Sequence, residues 1–461
     1  MIQKNNVLTV KIESVTGDSQ GVARVDSQVV FVPYAALGDV VEIVIIKVAK
    51  TYAVGKILKI ISSSKARIAP ECKAFGKCGG CSFCHVTLDE ELRIKTQSVK
   101  DAVSRIGGVD TEVSFAVSTP DKAYRNKALL PVTEDDNGLK CGFYASYSHR
   151  IVDGTLDCML TPDIFSSIAR ATLDFMKSEG ISGYSERENK GVVRHLYMRR
   201  NIFGGVMLCL VLNSAKLASG SCEKKFVEYI TTKFFEIESV WINENTLVTN
   251  AVLTDKFRLL FGKDYLEDEL LGVRLKMSPD SFFQVNRVGA EIVYKTAFSL
   301  LEKKHYENVY DLYCGVGSIG LTLFSEMKNG HVEASAERLF GIEIVEKAAE
   351  WATENAKANK IDSAQFRASD SLDITKMDWF DKYPPSLVIL DPPRKGTTEA
   401  LLSYLADKRV EDILYISCNP ATLARDMSYL YKRGYTAEKV VPVNLFPRTG
   451  HVECCVRLSR T

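Results

Sequence analysis

Short apolar runs, each ended by residues that break a strand, recur along the last third of the chain. Runs of this kind are typical of strands covered on both faces of a sheet. Because such strands are usually parallel, the pattern predicts an α/β domain that binds ligands beyond the carboxyl ends of its strands. The runs are the segment from Asn308 towards Gly315, and Leu339–Ile342, Leu387–Leu390 and Ile413–Ile416.

Residues suited to ligand binding follow three of these runs directly. Gly315-x-Gly317-x-x-Gly320 follows the first, and its glycines permit a tight turn and close approach of a ligand. Glu343 ends the second, 23 positions after Gly320, where a carboxylate can accept hydrogen bonds from ribose hydroxyls. NAD, FAD and S-adenosylmethionine (SAM) folds share this glycine pattern. Asp391-Pro392-Pro393, after the third run, favours a SAM-dependent nucleic-acid methyltransferase.

Cys418 follows the fourth run, within Ser417-Cys418-Asn419-Pro420. The residues after it predict a helix that begins at Leu423 with Thr422 as its N-cap. A thiol at that place can face a substrate, and a neighbouring helix N-terminus favours its thiolate. Taken alone, Cys418 is more readily explained as a small buried residue, so its importance depends on the two other strand ends.

Strand-like alternation also marks residues 1 to about 62, followed by the linker Ser62-Ser63-Ser64-Lys65. Turn signals at Gly17-Asp18, Asp26-Ser27 and Gly38-Asp39 separate five short candidate strands. Five strands of this length predict a small OB-like barrel. The candidates are Val7–Ile12, Gly21–Val25, Val29–Pro33, Val40–Ile46 and Tyr52–Ile60.

The composition is that of a globular protein with two to four domains. The chain has 461 residues, of which 46% are hydrophobic and 25% charged. Because 59 Lys and Arg residues face 58 Asp and Glu residues, the net charge is only +1, and binding to nucleic acid would depend on local basic patches. With no 18-residue apolar run and no signal-peptide pattern at the start, we expect a cytoplasmic protein.

The twelve cysteines include a close group, Cys72-x5-Cys78-x2-Cys81, among Gly76, Gly79 and Gly80. Disulfides are not expected in a cytoplasmic chain. The spacing therefore predicts a metal-binding loop, and zinc and an iron–sulfur cluster remain alternatives because both accept four thiolates.

Longer motifs in the last 180 or so residues resemble the RNA uracil-5-methyltransferase family. They are Asp-Pro-Pro-Arg-x-Gly from Asp391, Ser-Cys-Asn-Pro-x-Thr-Leu-Ala-Arg-Asp from Ser417, and Thr-Gly-His-Val-Glu from Thr449. The resemblance implies a nucleophile, Cys418, and a base, Glu453. It implies a class I, Rossmann-like catalytic domain in which SAM contacts Gln284, Tyr313, Gly315, Gly317, Ser318, Glu343 and Asp391.

The family's chemistry explains these residue types. Carbon 5 of uracil is a poor nucleophile, and addition of a thiolate at carbon 6 turns the ring into an enolate with electron density at carbon 5. After carbon 5 takes the methyl group of SAM, a base must remove the remaining proton before the thiol is eliminated. One thiol and one base are therefore required on the same ring.

The resemblance also assigns the N-terminal barrel and the cysteines. The barrel resembles the TRAM domain, an RNA-binding module, and the cysteine spacing resembles a [4Fe-4S] site whose fourth ligand is Cys158. Cys84 stands where the family commonly has Gln, so Cys84 competes with Cys158 as fourth ligand, and the neighbouring His85 is a weaker candidate. By analogy, barrel and cluster indicate 23S ribosomal RNA as substrate.

Four residues are predicted to contact RNA: Phe282, Arg125, Lys127 and Arg394. The strand Arg194–Arg200 places cations on alternate positions, which suits either an RNA-contact face or a solvated one. The predicted organisation is a TRAM-like barrel (1–62), a mixed α+β central domain with the cysteine cluster (63–275) and the catalytic domain (276–461). We expect a monomer with RNA as its partner, without a membrane or an obligate protein partner.

Three other functions compete with this hypothesis. A tRNA uracil-5-methyltransferase would use the same residues on another RNA. An RNA cytosine-5-methyltransferase also uses a thiol at carbon 6, although such enzymes tend to carry a cysteine in the Asp-Pro-Pro region, where this chain has Arg394. The third is a non-catalytic RNA-binding iron–sulfur protein, against which the intact Cys418, Glu453, Asp391 and Glu343 count.

Overall fold

The structure, a computed structural model, describes residues 2–136, 138–249 and 251–461. Two compact units are formed by discontinuous parts of the chain. The terminal unit contains the residues up to Asp121 together with Pro392–Leu402 and Tyr415–Thr461. The central unit contains Lys122–Asp391 and Ser403–Leu414. Among the described residues, no helix has both the length and the apolar character needed to span a bilayer.

The terminal unit begins with a six-stranded sheet in the order β1-β5-β6-β4-β3-β2. Alternate residues of β5, such as Val41, Ile43 and Ile45, point inward and are fully buried, as the period-2 pattern predicts. All five expected strands are present, and a two-residue strand joins them. The strands are β1 (Val7–Lys11), β2 (Ser14–Val15), β3 (Gln20–Val25), β4 (Gln28–Pro33), β5 (Val40–Val48) and β6 (Tyr52–Ser62).

Helix α1 (Leu88–Asp101) follows, and it continues as one π-helical segment, Ala102–Gly107. Thr87 caps its start by accepting a hydrogen bond from the amide of Glu90, and Gly108 ends the π segment in the left-handed conformation. The short strand β7 (Glu112–Val113) comes next.

The first part of the central unit contains a six-stranded sheet in the order β13-β12-β11-β10-β8-β9. A separate hairpin, β14–β15, follows this sheet along the chain. The elements are β8 (Lys127–Asp135), β9 (Gly138–Cys141), the 3-10 turn Thr155–Asp157, α2 (Asp163–Ser178), β10 (Val193–Arg200), β11 (Val206–Leu212), α3 (Gly220–Lys233), β12 (Ile237–Glu244), β13 (Phe257–Gly262), β14 (Leu266–Leu270) and β15 (Val273–Met277).

Strand β10 corrects one expectation from the sequence. Its alternating cations suggested an RNA-contact or a solvated face, but every residue from Val193 to Arg199 is buried. The strand is an inner strand of the sheet, between β11 and β8, and its buried arginines, Arg194 and Arg199, donate to carbonyls inside the protein. The Arg194 guanidinium, for example, donates to the carbonyls of Asn245 (2.7 Å) and Leu247 (2.8 Å) and lies over the Tyr184 ring. Such carbonyl partners make burial of a cation tolerable.

The predicted strand–helix alternation fills the rest of the chain. In the central unit the strand order is β18-β17-β16-β19-β20, and in the terminal unit the end of β20 is followed by β23, β22 and β7. The elements are α4 (Arg287–Phe298), β16 (His305–Asp311), α5 (Ser318–Lys328), β17 (Ser335–Glu343), α6 (Glu346–Ala358), β18 (Ala364–Ala368), the 3-10 turn Ser371–Lys376, α7 (Trp379–Lys382), β19 (Leu387–Leu390), α8 (Glu399–Asp407), β20 (Asp412–Ser417), α9 (Pro420–Tyr431), β21 (Tyr435–Thr436), β22 (Lys439–Val443) and β23 (Glu453–Arg460).

A fully buried ion pair joins α1 to the segment after β22 in the terminal unit. Lys95 Nζ donates to Glu91 Oε1 (2.9 Å) and to Asn444 Oδ1 (2.6 Å), and Asn444 Nδ2 donates to the same Glu91 oxygen (3.0 Å). All three side chains are excluded from solvent. Burial lowers the pKa of Lys95, and the Glu91 carboxylate opposes that shift.

We expect Lys95→Met to lower the free energy of unfolding by about 3 kcal/mol, because it leaves the buried Glu91 carboxylate without its counter-charge. Urea denaturation at pH 7 measures the change. Lys100→Met, an exposed position in the last turn of the same helix, is the matched control and should change stability by less than about 0.5 kcal/mol. Equal effects of the two variants would show that the buried ion pair contributes nothing to the free energy of unfolding.

Candidate active site

Parallel pairing brings three predicted SAM-binding residues together at one edge of the central unit's sheet. Asp311 of β16 is in register with Gly341 of β17 and with Ile389 of β19. Two residues further along these three strands are Tyr313, Glu343 and Asp391. Because the strands are parallel, these residues share the carboxyl edge, which is the ligand-binding edge of such sheets.

Asp311 is a carboxylate that the sequence analysis did not assign to the site. It is fully buried, and its Oδ2 accepts a hydrogen bond from the amide of Gly320 (3.0 Å), whereas its Oδ1 has no hydrogen-bond partner. Burial, together with the nearby carboxylates Asp391 and Glu343, raises the pKa of Asp311 to about 7. Burial also raises the pKa of Asp391 to about 7. The sequence signal that could have identified Asp311 is its place as an acidic residue at the end of an apolar strand.

The glycine loop is held from both sides by side chains of this edge. Glu343 Oε2 accepts a hydrogen bond from the Gly315 amide (3.0 Å), and its Oε1 accepts one from the Val345 amide (2.9 Å). Gly317 adopts a left-handed φ of 84° as the N-cap of α5. Glycine is therefore favoured at Gly317 by its conformation, and a Cβ at Gly320 would lie 2.9 Å from a Leu339 methyl and would displace that side chain.

Asn355 of α6 has a structural role beside the glycine loop. It is fully buried, and its Nδ2 donates to the carbonyls of Val316 (3.1 Å) and Lys276 (3.2 Å), while its Oδ1 accepts from the Lys276 amide (2.8 Å). One amide thereby fixes the glycine loop to the end of β15. On the other side of the loop, Ser318 Oγ lies 3.1 Å from the Tyr294 hydroxyl.

The segment after β15 carries Phe282 and Gln284. Phe282 is 68% exposed, whereas its neighbours Ser281 and Phe283 are buried, so the ring is presented outward from an anchored backbone. Asn126 is hydrogen-bonded to this backbone twice, through its amide to Val285 O (2.7 Å) and through its Nδ2 to Gln284 O (3.0 Å). An exposed aromatic ring on a fixed backbone suits stacking on a base.

A cationic group flanks Asn126 in the central unit. Arg125 and Lys127 are half-buried, and Arg199 is almost fully buried. Lys127 Nζ lies 5.2 Å from the centre of the Tyr197 ring, and Arg199 NH2 donates to the carbonyl of Ser281 (3.0 Å). Burial, together with Arg199 and Arg125, lowers the pKa of Lys127 to about 8. The Nε atoms of Arg125 and Arg199 have no hydrogen-bond partner.

Cys418 lies in the terminal unit, between the end of β20 and the start of α9. Asn419, and not Thr422, is the N-cap of this helix: Asn419 Oδ1 accepts from the Ala421 amide (3.0 Å), and Pro420 occupies the first turn. Thr422 lies inside the helix and donates to the Asn419 carbonyl (3.1 Å). The predicted cap was wrong because Pro is favoured in the first turn of a helix. Cys418 is therefore next to the helix N-terminus.

Glu453 is the first residue of β23, the strand adjacent to β20 in this unit. It is buried, with 5% of its surface exposed. Cys454, which follows it, is within electrostatic reach of both Glu453 and Cys418, and burial raises the pKa of the Cys454 thiol well above its ordinary value. The predicted nucleophile and the predicted base therefore both lie near Cys454 in the terminal unit.

Arg394 is exposed and also belongs to the terminal unit. Its NH2 lies 3.1 Å from the ring nitrogens of His451, two residues before Glu453. Its carbonyl accepts a hydrogen bond from Asn419 Nδ2 (3.0 Å). Arg394 thus contacts both Asn419, which follows Cys418, and His451, which precedes Glu453 by two residues. Its guanidinium remains accessible for a phosphate.

The cysteine loop (residues 72–84) groups four thiols in the terminal unit. Cys78 is within electrostatic reach of Cys72 and Cys84, and burial raises its pKa. A hydrogen bond from Cys81 lowers the pKa of Cys84. Cys158 lies in the central unit, at the end of the turn Thr155–Asp157. Within the described residues, no three His, Cys, Asp or Glu side chains are arranged to hold a metal ion, so the four-thiolate site stays a prediction.

Comparisons with known proteins identify the family of the chain. The family described as tRNA (uracil-5-)-methyltransferase matches residues 244–461, and the TRAM domain matches residues 3–58. An RNA methyltransferase of Bacillus cereus (strain ATCC 10987 / NRS 248) is 35% identical over 100% of this chain and 98% of its own length. The chain belongs to the RNA methyltransferase family. A Clostridium tetani RNA methyltransferase is also 35% identical, over 99% of this methyltransferase and 97% of the relative.

A solved structure matches the methyltransferase over nearly its whole length. It is the Pyrococcus abyssi tRNA (uracil-54, C5)-methyltransferase in complex with S-adenosyl-L-homocysteine. The TM-score is 0.76 and the identity 26%, over 98% of this chain and 100% of the archaeal one. The expected α/β fold, with an N-terminal TRAM domain and a C-terminal methyltransferase domain, is confirmed.

We expect Asp311→Asn to stabilise the methyltransferase more at pH 8 than at pH 5. In the native protein the pKa of Asp311 is raised to about 7, so the native state favours the protonated carboxyl, and that contribution to stability is lost as the pH rises towards 7. The neutral amide avoids the loss, and the difference between the two pH values should be about 2 kcal/mol.

Urea denaturation of both proteins at pH 5 and pH 8 measures this difference. Asp362→Asn, at an exposed position, is the control and should shift stability equally at both pH values. A pH-independent effect of Asp311→Asn would mean that the buried carboxyl titrates as it does in water.

Proposed function

We propose that the protein methylates carbon 5 of a uridine in RNA, with SAM as methyl donor, through a covalent bond between Cys418 and carbon 6 of the uracil. The proximity of Cys418 and Glu453 carries the proposal, because the reaction needs one thiol and one base on the same ring. Family membership and the match to uracil-5-methyltransferases support the choice of uracil.

The carboxyl edge of the central unit's sheet suits SAM. Glu343 would accept hydrogen bonds from ribose hydroxyls, while Tyr313, Gln284, Asp391 and the glycine loop with Ser318 would surround the rest of the molecule. SAM supplies a methyl group on a positively charged sulfonium. Because burial raises the pKa of both Asp311 and Asp391 at this edge, a cationic ligand would favour the ionised forms of these two residues.

Cys418 and Glu453 then have successive tasks. The Cys418 thiolate, favoured by the neighbouring helix N-terminus, adds to carbon 6 and leaves an enolate with electron density at carbon 5. Once carbon 5 carries the methyl group, Glu453 takes the remaining proton from it. The electrons of that C–H bond re-form the ring double bond, and the bond between carbon 6 and sulfur breaks to release Cys418 as thiolate.

Ribosomal RNA, specifically 23S, is the substrate that we propose, on the analogy of family members that carry both a TRAM barrel and a cysteine cluster. Phe282 would stack on the extruded base, and Arg125, Lys127 and Arg394 would meet phosphates. A tRNA substrate is the second candidate. It is favoured by the Pyrococcus enzyme, which acts on tRNA and yet matches 98% of this chain, so the barrel alone does not separate the two substrates.

The cysteine loop would hold a [4Fe-4S] cluster. Thiols are the donors that such a cluster requires, so the chemistry of the group fits it. Cys72, Cys78 and Cys81 would be three of the ligands, and we propose Cys158 as the fourth by resemblance. Cys84 is the alternative, because it is within hydrogen-bond reach of Cys81.

We propose that the chain is divided into a barrel (1–62), a central domain (63–275) and a catalytic domain (276–461).

We expect Cys418→Ala to abolish methylation, and Glu453→Gln to form the RNA adduct without releasing it. The first variant lacks the thiol, whereas the second has a thiol but a non-basic amide, and its turnover should fall by about 10²–10⁴-fold. Denaturing gels with radiolabelled RNA detect the adduct. Cys222→Ala and the exposed Glu438→Gln are the matched controls and should leave turnover unchanged. Normal turnover of Glu453→Gln would remove Glu453 from the mechanism.

We expect label from methyl-labelled SAM to appear as 5-methyluridine in unmodified ribosomal RNA. The protein, purified without oxygen, is incubated separately with ribosomal RNA and with tRNA, and the nucleosides are analysed. Label in tRNA alone would preserve the chemistry and replace the substrate. Label in 5-methylcytidine would support the cytosine alternative, and binding of both RNAs without label would support a non-catalytic protein.

A further inference from the structure

Arg448, five residues before Glu453, connects the segment that carries the proposed base to the cysteine loop. Its carbonyl accepts hydrogen bonds from two consecutive amides of that loop, Ser82 (2.8 Å) and Phe83 (3.0 Å). These donors lie between Cys81 and Cys84 in the sequence. A displacement of either cysteine would therefore move a partner of the Arg448 backbone.

The Arg448 side chain strengthens this connection. Its Nε and NH2 atoms both donate to Asp121 Oδ2 (3.1 and 2.7 Å), and its NH1 donates to the carbonyl of Val86 (3.0 Å), just beyond the cysteine loop. The side chain is only 12% exposed. Paired donation to one carboxylate fixes the orientation of the guanidinium.

The segment that leads to Glu453 (residues 444–453) is also held by the buried ion pair of α1. Glu91 Oε1 accepts hydrogen bonds from Asn444 Nδ2 (3.0 Å) and from the Arg448 amide (2.9 Å). Between Arg448 and Glu453, Thr449 Oγ1 donates to the Phe446 carbonyl (2.7 Å) and closes a turn. Glu453 therefore follows a short segment whose backbone is held by α1 and by the cysteine loop.

We propose that Arg448 is a positioning residue that transmits the conformation of the cysteine loop to Glu453, so that removal of the carbon 5 proton depends on that loop. The inference rests on the proposed roles of Cys418 and Glu453. A general base acts only within hydrogen-bond reach of the proton, and a displacement of about 1 Å can reduce a rate by roughly 10²-fold. Methyl transfer to carbon 5 precedes this step and does not use Glu453.

Arg448→Gly tests the proposal with little risk to folding. Arg448 has a left-handed φ of 69°, which glycine adopts without strain, so the variant loses the guanidinium contacts and keeps the backbone hydrogen bonds. Arg409→Gly is the matched control, because Arg409 is an exposed arginine with a similar φ of 54°. Arg448→Lys, which retains the charge but not the paired donation, should give an intermediate effect.

Two rates in single-turnover reactions separate positioning from general damage. Release of tritium from RNA labelled at carbon 5 of uridine reports proton removal, and label from SAM reports methyl transfer. For Arg448→Gly we expect tritium release to slow by about 10-fold, methyl transfer to stay within about 2-fold, and the covalent adduct to accumulate. An equal fall of both rates, or no change in either, would overturn the proposal.

Hydrogen–deuterium exchange tests the connection without using activity. In Cys81→Ser, peptides that cover residues 446–453 should exchange faster than in the unchanged protein, whereas peptides that cover 308–343 should not. Cys222→Ser is the control and should leave both regions as they are. Unchanged exchange at 446–453 in Cys81→Ser would overturn the connection even in an active enzyme. If the unchanged protein does not methylate uridine but residues 446–453 still exchange faster in Cys81→Ser, the proposed function is refuted. The connection between the cysteine loop and this segment then still stands.

Discussion

The register of three parallel strands is the constraint on which the candidate cofactor site depends. Pairing of Asp311 with both Gly341 and Ile389 brings Tyr313, Glu343 and Asp391 to one edge. A shift of one residue would turn each side chain to the opposite face of the sheet. The glycine loop adds a second requirement. Glu343 accepts a hydrogen bond from the Gly315 amide, and Asp311 accepts one from the Gly320 amide. The same carboxylates thus shape the loop and set the charge of the site.

The sequence was most informative where local pattern and tertiary environment agree. The apolar runs before Tyr313, Asp391 and Cys418 are strands because their burial on both faces leaves a continuous hydrophobic signature. The helix after Cys418 begins at Pro420, three residues before the predicted start at Leu423. Thr422 is a good capping residue by type, but Asn419 followed by Pro420 offers both a cap and a pre-set first turn.

The burial of polar residues is the feature of this fold that the sequence predicts least well. Arg194, Arg199 and Asn355 have the composition of surface positions, and only the tertiary structure provides the carbonyl partners that allow their burial. Lys95 and Glu91 have the spacing of an exposed helical ion pair, yet they are buried against Asn444, about 350 positions later in the sequence. Such partners are distant along the chain, so periodicity carries no information about them.

The buried carboxylates show how the candidate site lowers the stability of the protein. Asp311 could be replaced by an apolar residue if only packing mattered, since its Oδ1 has no partner and its ionisation near pH 7 is opposed by burial and by Asp391. Its Oδ2, however, fixes the third glycine of the loop, and its charge adds to that of Glu343 and Asp391. A positively charged ligand reverses the sign of this electrostatic effect, because each ionised carboxylate then attracts it. The arrangement is unfavourable in the ligand-free protein for the same reason that it would favour a cationic ligand, which is the pattern expected of a binding site.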